Sequence, residues 1–386
     1  MALLTIFLLS VLLACTLFFI ALSFRYDLTC RAVVFKIFSR LGIPLGAYLP
    51  AEFSTPYQRL MRENEAWHRP VLLNLATSDG SGQVTHPDVA YIPEGFGQGK
   101  WTYWMACTPY PQRNAQYENP ELFVSFDGID WAVPFGFKNP LVPSPAIAGD
   151  HHSDPDILFC LDQLWLFYRQ TIRSRTPNEN RLFLIKSADG VRWSVPIEVL
   201  CDKTGRELLS PAVIHDGHQF LMWTVEICEE QFLIVRRSSP NGVAWSAPEV
   251  CRLAGLEMPR HAWHIDVMQE SERLSAVLVS CIGNGGVKSR IHYAYSEDHG
   301  LTWSTAGFLF DQAYEFEAEV QYRGSLLGRD GHPGVYDLWY SAASSKFLFS
   351  IAHLSLIRDH NRMLPCQLRL ESAHAKRAKV SLELEK

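Results

Sequence analysis

The stretch that decides the fold is Ser296-Glu297-Asp298-His299-Gly300-Leu301-Thr302-Trp303. In such a turn the Asp carboxylate accepts hydrogen bonds from backbone N–H groups, and Gly supplies the positive φ that the turn requires. Related stretches occur at 125–131, 187–193 and 238–245, the last with the acidic residue replaced. The Trp that ends each stretch is expected to pack between neighbouring sheets. Four such turns predict a repeated β unit and a structural role for the turn carboxylates.

A unit of about 55 residues recurs five times between residues 84 and 356. Each copy opens on a polar segment followed by β-forming residues, with anchor positions at Asp88, Asp156, Ala212, Asp266 and Glu319. Successive anchors are 68, 56, 54 and 53 residues apart. A second strand rich in aromatic or aliphatic residues follows, as at 101–105 and 164–168, and helical periodicity is absent. Four short strands at this spacing make one blade, so the sequence predicts an all-β, five-bladed β-propeller over 84–356.

The fifth unit lacks the turn found in the other four, because the chain becomes polar after Leu356. A propeller closes when a strand from elsewhere in the chain completes its last sheet. We therefore expect residues just before His86, such as 71–75, to supply that strand. The remaining segment, 357–386, is predicted to be a polar C-terminal tail without a chemical role.

The N-terminal segment 2–24 carries no charged side chain. As a helix, its 23 residues would span about 34 Å, enough to cross a hydrocarbon core of about 30 Å. The run exceeds the ~7–15-residue apolar core of a signal peptide and follows no basic residue. We expect a transmembrane anchor at 1–24 that contacts the lipid bilayer, with an unusual signal or lipoprotein peptide as the alternative. Residues 25–83 then form a juxtamembrane stalk and lead-in.

Charge limits the location and the partners of the chain. Basic residues outnumber acidic ones just after the apolar span, so the positive-inside rule favours a cytoplasmic propeller on a single-pass protein, whereas a glycan substrate would favour the outside. The whole chain has 35 basic and 41 acidic residues, a net charge of −6. Nucleic acid is excluded as a partner, because phosphate binding needs a basic surface.

Acidic residues recur at the starts of the first strands, which line the channel of a propeller. The anchor alignment places Asp88, Asp156, Asp266 and Glu319 at equivalent positions near one mouth. Clustered carboxylates in a partly desolvated channel have pKa values that diverge, so that one can serve as acid and another as base. Glycoside hydrolysis needs such a pair on opposite sides of the scissile bond. The alternative is that these acids cap turns or hold a structural Ca²⁺ at the hub, and no other cofactor is indicated.

Further candidates lie two residues before the anchors and at the ends of second strands, which return to the same mouth. The candidate catalytic residues are Asp88, Asp156, Glu207, Glu226 and Glu319. The candidate substrate-binding residues are His86, Tyr110, His152, Asp154, Tyr168, Arg169, Trp223, His264, Asp266 and Arg323. Aromatic side chains among them would stack on sugar faces.

The repeat spacing, the His86-Pro87-Asp88 and Ser153-Asp154-Pro155-Asp156 segments and the S-x-D-G-x-x-W turns together resemble the five-bladed propeller glycoside hydrolases. These are the arabinanase and β-xylosidase family (family 43) and its invertase-type relatives, and the turns resemble the Asp-boxes of sialidases. The resemblance covers 84–356. It implies that Asp88 is the general base, that Asp156 or Asp154 tunes pKa and orients substrate, and that a Glu is the general acid.

The sequence does not identify the glutamate that would serve as general acid. The Glu-Gly-Pro segment expected from the resemblance is absent, and the third unit has Glu207-Leu208-Leu209-Ser210-Pro211 in its place. Glu207, Glu226 and Glu319 therefore all remain candidates.

Three hypotheses of function follow. The first is a membrane-anchored, glycoside hydrolase-like propeller that cleaves a glycosidic bond of an oligo- or polysaccharide at the channel mouth with paired carboxylates. The second is a carbohydrate-binding or scaffold propeller without catalysis. The third is a glycan phosphorylase or transferase on the same scaffold, which would need a basic pocket near Arg169 or Arg323.

Overall fold

The computed structural model describes residues 69–366, except 284 and 287. Within this part the chain forms twenty-one β-strands in five sheets and three short 3-10 helices, at Pro111–Arg113, Ala115–Tyr117 and Glu315–Glu317. The predicted anchor, most of the predicted stalk and residues 367–386 lie outside the described residues. No helix in the described part is long and apolar enough to cross a membrane.

The first three sheets follow the chain in order, and each is one blade. Blade one contains β2 (Val84–Phe96), β3 (Trp101–Pro109) and β4 (Glu121–Ser125). Blade two contains β5 (His151–Cys160), β6 (Gln163–Ile172), β7 (Glu179–Ser187) and β8 (Ile197–Asp202). Blade three contains β9 (Glu207–His215), β10 (Phe220–Cys228), β11 (Gln231–Ser239) and β12 (Glu249–Val250). The predicted five-bladed propeller is confirmed by these sheets and the two that follow.

The last two sheets each include a strand from outside the regular order. Blade four contains β14 (Arg260–Gln269), β15 (Leu274–Ile282), β16 (Arg290–Ser296) and β17 (Thr302–Phe308), with β13 (Arg252–Ala254) parallel to β17. Blade five contains β18 (Val320–Gly328), β19 (Val335–Ala343), β20 (Phe349–Asp359) and β21 (Arg362–Pro365). The sheet thus continues past residue 356, because β20 and β21 form a hairpin.

The closing strand is β1 (Val71–Leu72), which pairs antiparallel with β20 and places Val71 opposite His353. The expectation that residues before His86 complete the last blade is therefore confirmed. Closure removes an exposed sheet edge and joins the two ends of the repeat.

Tryptophans on second strands join neighbouring blades through the turns at 125–131, 187–193, 238–245 and 296–303. In the turn 296–303, Asp298 Oδ1 accepts from Thr302 N at 2.8 Å and Ser296 Oγ accepts from Gly300 N at 2.9 Å. Each turn glycine meets the tryptophan of the adjacent blade, in the pairs Trp104 with Gly190, Trp165 with Gly242, Trp223 with Gly300, and Trp339 with Gly128. β15 has no Trp and blade five has no such turn, so both partners are missing at the same junction.

Candidate functional site

Backbone strain marks the first strands of three blades. His86, Asp154 and Ser210 have φ values of 53°, 49° and 48°, and each immediately precedes a proline. Each also lies where the pairing of first and second strands is interrupted. For residues other than glycine this backbone conformation is strained, and it persists where the surrounding structure holds it, often at functional sites.

Two layers of side chains lie in the channel, and in four blades the residue of the first layer lies within the interruption of strand pairing. The layer nearer the strand starts, here the site layer, consists of His86, Asp154, Ser210, His264 and Arg323. The next layer, here the staple layer, consists of Asp88, Asp156, Ala212, Asp266 and Ser325. Contacts between blades establish both layers.

Asp154 lies at the centre of the site layer and is fully buried. Its Oδ1 is 3.1 Å from His86 Nε2 and 4.0 Å from His264 Nδ1, and its Oδ2 is 3.1 Å from Arg169 Nε. The Tyr322 ring packs against both imidazoles, with centroids 5.5 Å from His86 and 4.6 Å from His264. The propeller therefore brings together four residues that the sequence singled out and adds Tyr322, which the sequence analysis missed.

Charge in this cluster is divided between one carboxylate and two neutral imidazoles. Burial alone would raise the pKa of Asp154, but the positive charge of Arg169, the largest opposing effect, holds that pKa well below its ordinary value. Burial lowers the pKa of His86 to about 4 and lowers that of His264 well below its ordinary value. Near neutral pH the cluster thus presents an ionised carboxylate and two unprotonated rings.

This donor set fits a divalent cation. One ligand atom each from His86, Asp154 and His264 lies within 4.8 Å of the others. Within the described residues, Asp154 Oδ1 is buried without a hydrogen-bond partner, which such an ion would supply. His264 Nδ1, the ring nitrogen 4.0 Å from that oxygen, contacts Ser210 Oγ, and its Nε2 is buried without a partner. His86 Nδ1 lies 3.0 Å from Thr108 Oγ1, the type of outer contact that orients a ligand histidine. Two imidazoles and a carboxylate suit Zn²⁺ and other first-row divalent metals.

Glu118 is a buried carboxyl beside the site layer that the sequence analysis also missed. Burial, and then the negative charge of Asp154, raise its pKa to about 8. Its Oε2 lies 4.0 Å from Nε2 of His151, whose pKa is lowered to about 4 by burial and by the charge of Arg169. A signal was available in the sequence, because Glu118 follows the second strand that ends near Tyr110, and second strands return to the mouth.

The staple layer joins one blade to the next. Each side chain accepts a hydrogen bond from a backbone N–H of the following blade: Asp88 from Ile157, Asp156 from Val213 (3.2 Å), Asp266 from Leu326 (3.0 Å), and Ser325 from Val89 (3.0 Å). Ala212 has no side-chain acceptor, so the series is interrupted in blade three. Burial raises the pKa values of all three carboxyls, that of Asp266 to about 8.

Arg323 belongs to the site layer, is fully buried and reaches toward the staple layer. Its Nη2 donates to Pro211 O at 3.2 Å and lies 3.8 Å from Asp156 Oδ1. Its Nε and Nη1 have no hydrogen-bond partner among the described residues. The positive charge lowers the pKa of the nearby staple carboxyls and partly offsets the effect of their burial.

The three glutamates predicted as acid candidates lie in different surroundings. Glu207 is at the rim, half exposed, with Oε2 3.9 Å from Arg169 Nη1. Glu226 is buried and bound by Arg206 and Arg237 at 2.9 and 2.7 Å. Glu319 is exposed and outside both layers, because the structural equivalent of Asp88 in blade five is Ser325. Three of the four acids predicted at equivalent positions, Asp88, Asp156 and Asp266, are equivalent in the structure. The fourth, Glu319, was wrong, because the equivalent residue lies six positions later.

Most of the remaining residues that were predicted to contact sugar are buried inside the protein. Trp223 is fully buried, and its Nε1 donates to Gly300 O at 3.0 Å, so its ring is not available for stacking on a sugar. Tyr168 is buried between His152 and Phe183, with ring centroids at 5.3 and 5.5 Å. His152 Nδ1 lies 3.3 Å from Asn119 Oδ1. Tyr110 is partly exposed and packs on Phe349 with centroids 5.0 Å apart, and so remains the predicted aromatic nearest the surface.

Comparison with known proteins agrees with the architecture. No family model matches the sequence. The A type blood N-acetyl-alpha-D-galactosamine deacetylase of Flavonifractor plautii is 25% identical over 315 residues, covering 67% of this chain and 40% of that protein. The chain thus spans about two-fifths of the length of that relative.

Solved structures share the propeller. An N-acetylgalactosamine deacetylase from F. plautii, in complex with blood group B trisaccharide, has a TM-score of 0.66 at 22% identity, covering 75% of this chain and 95% of that one. A thermostable family-43 glycoside hydrolase has a TM-score of 0.55 at 10% identity, covering 73% and 92%. The resemblance to family-43 propellers that the sequence predicted is confirmed at the level of the fold.

Proposed function

We propose that the protein is a carbohydrate-processing hydrolase that removes the acetyl group from an N-acetylated sugar at the channel mouth. The observation that carries this proposal is the site layer, in which ionised Asp154 lies between neutral His86 and His264, with Glu118 beside them. The 25% identical relative is a deacetylase of N-acetyl-alpha-D-galactosamine, which supports cleavage of an amide rather than a glycosidic bond.

His86, Asp154 and His264 are the residues that would hold a divalent cation. Such an ion would polarise the acetyl carbonyl and lower the pKa of a water molecule. Arg169 keeps Asp154 ionised, and Thr108 orients His86 through Nδ1 so that Nε2 faces Asp154. Because both imidazoles are unprotonated near neutral pH, each can offer a nitrogen lone pair.

Glu118 has the proton affinity that amide hydrolysis requires. In its ionised form it would accept a proton from the attacking water, whose oxygen bonds to the acetyl carbon. The C–N bond then breaks, and Glu118 returns the proton to the departing nitrogen, so that acetate and a free amino sugar are released. A pKa of about 8 suits a group that both takes and gives a proton near neutral pH.

The test measures acetate released from N-acetylgalactosamine- and N-acetylglucosamine-terminated oligosaccharides, with Zn²⁺, Mn²⁺ or a chelator present. We expect Glu118→Gln to slow release by about 10²- to 10⁴-fold while metal binding is retained. Asp154→Asn is expected to lose both activity and metal binding. Glu94→Gln, at an exposed position on β2, is the matched control and should leave release unchanged. Wild-type protein that releases no acetate, or Glu118→Gln with full activity, would contradict the proposal.

Cleavage of a glycosidic bond by paired carboxylates is the second candidate, favoured by the three clustered acids Asp88, Asp156 and Asp266 and by the family-43 fold. These carboxyls, however, accept N–H groups of the next blade, whereas a glycosidase pair faces its partner across the sugar at about 5–10 Å. In the same assay, new reducing ends without acetate would favour this second candidate. Anchoring of the enzyme to a membrane by residues 2–24 stays a prediction.

A further inference from the structure

Two arginines lie close together on the rim of blade four. Arg260 is on β14, four residues before His264, about 13 Å along an extended strand. Its side chain reaches across β15, where Nη1 donates to Ser280 Oγ at 3.2 Å and to Lys288 O at 3.0 Å. Arg290 begins β16.

The two guanidiniums share one aromatic ring. The Phe308 side chain is 46% exposed, and its ring centroid lies 5.0 Å from Cζ of Arg260 and 4.4 Å from Cζ of Arg290. Cation–π contact compensates part of the cost of drawing two guanidiniums from water. It does not cancel their mutual repulsion.

Carboxylates do little to neutralise this pair. Within the described residues Arg260 forms no ion pair, and Arg290 has only Asp311, whose side chain is 98% exposed, at 3.5 Å. His292 adds no charge, since burial and the two arginines lower its pKa to about 4 and leave the ring neutral. Burial and the charge of Arg290 also lower the pKa of Arg260. Arg169, by contrast, is paired with the buried carboxylate of Asp154.

We propose that Arg260, beside the positive charge of Arg290, forms an anion-binding subsite for a sulfate or carboxylate group carried by the glycan whose N-acetylated sugar lies at the channel mouth. The identity of that glycan rests on the proposed function, whereas the charge pair does not. Guanidinium groups bind such oxyanions through paired N–H donors. Arg290 already donates to Gln321 Oε1, Gln312 Oε1 and Phe310 O, so it contributes its positive charge rather than free donors. Arg260 supplies the donors, because only its Nη1 has hydrogen-bond partners among the described residues. A glycan that leaves the channel over β14 would pass this pair.

Binding of a sulfated N-acetyllactosamine tetrasaccharide, its desulfated form and a form with a carboxylate in place of sulfate tests the subsite. Calorimetry on the Glu118→Gln background avoids turnover. We expect the charged ligands to bind roughly tenfold more tightly than the neutral one, and Arg260→Gln to remove that difference. The relative strength of the sulfate and carboxylate forms identifies which anion the subsite takes.

Arg252→Gln, at an exposed arginine on β13 of the same blade, is the matched control and should not change the difference. Arg260→Lys keeps the charge and the stem, so it should restore part of the difference even if Arg260→Gln lowers stability. Equal binding of neutral and charged ligands, or equal loss in Arg252→Gln and Arg260→Gln, would overturn the subsite. Arg260-dependent binding of charged ligand with no binding of neutral ligand would support the subsite and contradict the proposed sugar site instead.

Discussion

Replacement of Gly190 by alanine is expected to loosen the junction between blades one and two. Gly190 has a φ of +76°, and a Cβ added there would lie 2.1 Å from Cη2 of Trp104, whose side chain is 1% exposed. A left-handed backbone costs a residue with a Cβ about 1–2 kcal/mol. Displacing a closely packed ring adds about 1–3 kcal/mol. Gly190→Ala should therefore lower the free energy of unfolding by about 2–5 kcal/mol.

Gly136→Ala separates the two contributions. Gly136 has a φ of +74°, and its added Cβ would have nothing within 4 Å, so it incurs the backbone strain without the clash. We expect it to lose about 1–2 kcal/mol. The difference between the variants, about 1–3 kcal/mol, measures the contact with Trp104 alone. Equilibrium unfolding in urea, followed by circular dichroism, gives both values.

A second substitution checks the assignment of the clash. Trp104→Phe removes the part of the ring that the new methyl group would meet, so it should cost less in the Gly190→Ala background than in wild type. Equal losses of stability for Gly190→Ala and Gly136→Ala would refute the argument that turn glycines join blades by admitting the neighbouring tryptophan. Additive effects of Gly190→Ala and Trp104→Phe would refute it as well.

Two further predictions concern the channel. Asp88→Asn keeps an oxygen that can accept from Ile157 N. We therefore expect acetate release to stay within about threefold of wild type and the free energy of unfolding to fall by less than about 2 kcal/mol. A loss of activity with an unchanged free energy of unfolding would show that Asp88 takes part in the chemistry. The buried histidines should make the free energy of unfolding fall as pH decreases from about 6.5 to about 4, because the pKa values of His86, His151 and His152 are about 4 in the folded protein and the unfolded chain binds protons first. Glu118 and Asp266 act in the opposite sense, because their raised pKa values of about 8 make the folded chain bind protons first. Urea unfolding of wild type and His152→Gln at pH 7, 5.5 and 4.5 isolates the histidine contribution: as pH falls, wild type should lose more stability, or gain less, than the variant, and equal changes in both would contradict the argument.

The blade count and the closing strand were predictable because both follow from local patterns. Four short β segments per unit recur at nearly constant spacing, and a last unit that lacks a partner requires a strand from the other end of the repeat. Val71–Leu72 supplies it. Packing of the turn tryptophans between sheets was predictable from the motif, and Trp303 indeed contacts Trp223 of blade three with ring centroids 5.9 Å apart. The contact of the second-strand Trp104 with Gly190 was not predicted.

The alignment of blade five failed for a local reason. The pattern around Glu317 and Glu319 resembles the other strand starts, but these residues lie at a short 3-10 helix and just after it. Glu317 is buried and accepts from Ala313 N at 2.9 Å and from Tyr340 Oη at 2.9 Å, so it orders this helix rather than the channel. The true position in the staple layer is Ser325, a neutral residue that a search for acids passes over.

The division of the channel into two layers explains why site residues were harder to assign than strands. His86 and Asp88, and likewise His264 and Asp266, are polar, buried and two residues apart, so the sequence pattern is the same for both layers. The two layers differ in whether the side chain accepts a hydrogen bond from a backbone N–H of the next blade. That contact depends on how the blades pack together. Asp88 and Asp266 receive such a bond.

Whether a buried polar atom has a hydrogen-bond partner is therefore a physical criterion that separates structural from functional residues in this channel. Asp156 accepts from Val213 N, whereas Asp154, two residues earlier on the same strand, keeps a buried oxygen without a hydrogen-bond partner among the described residues. An unsatisfied charged atom is costly unless a ligand completes its contacts. Resemblance to glycosidases directs attention to the acids of the staple layer, but hydrogen bonding in the channel directs it to Asp154 and its imidazole neighbours. The chemistry should accordingly be sought in the site layer, nearer the mouth than sequence alignment of the acids implied.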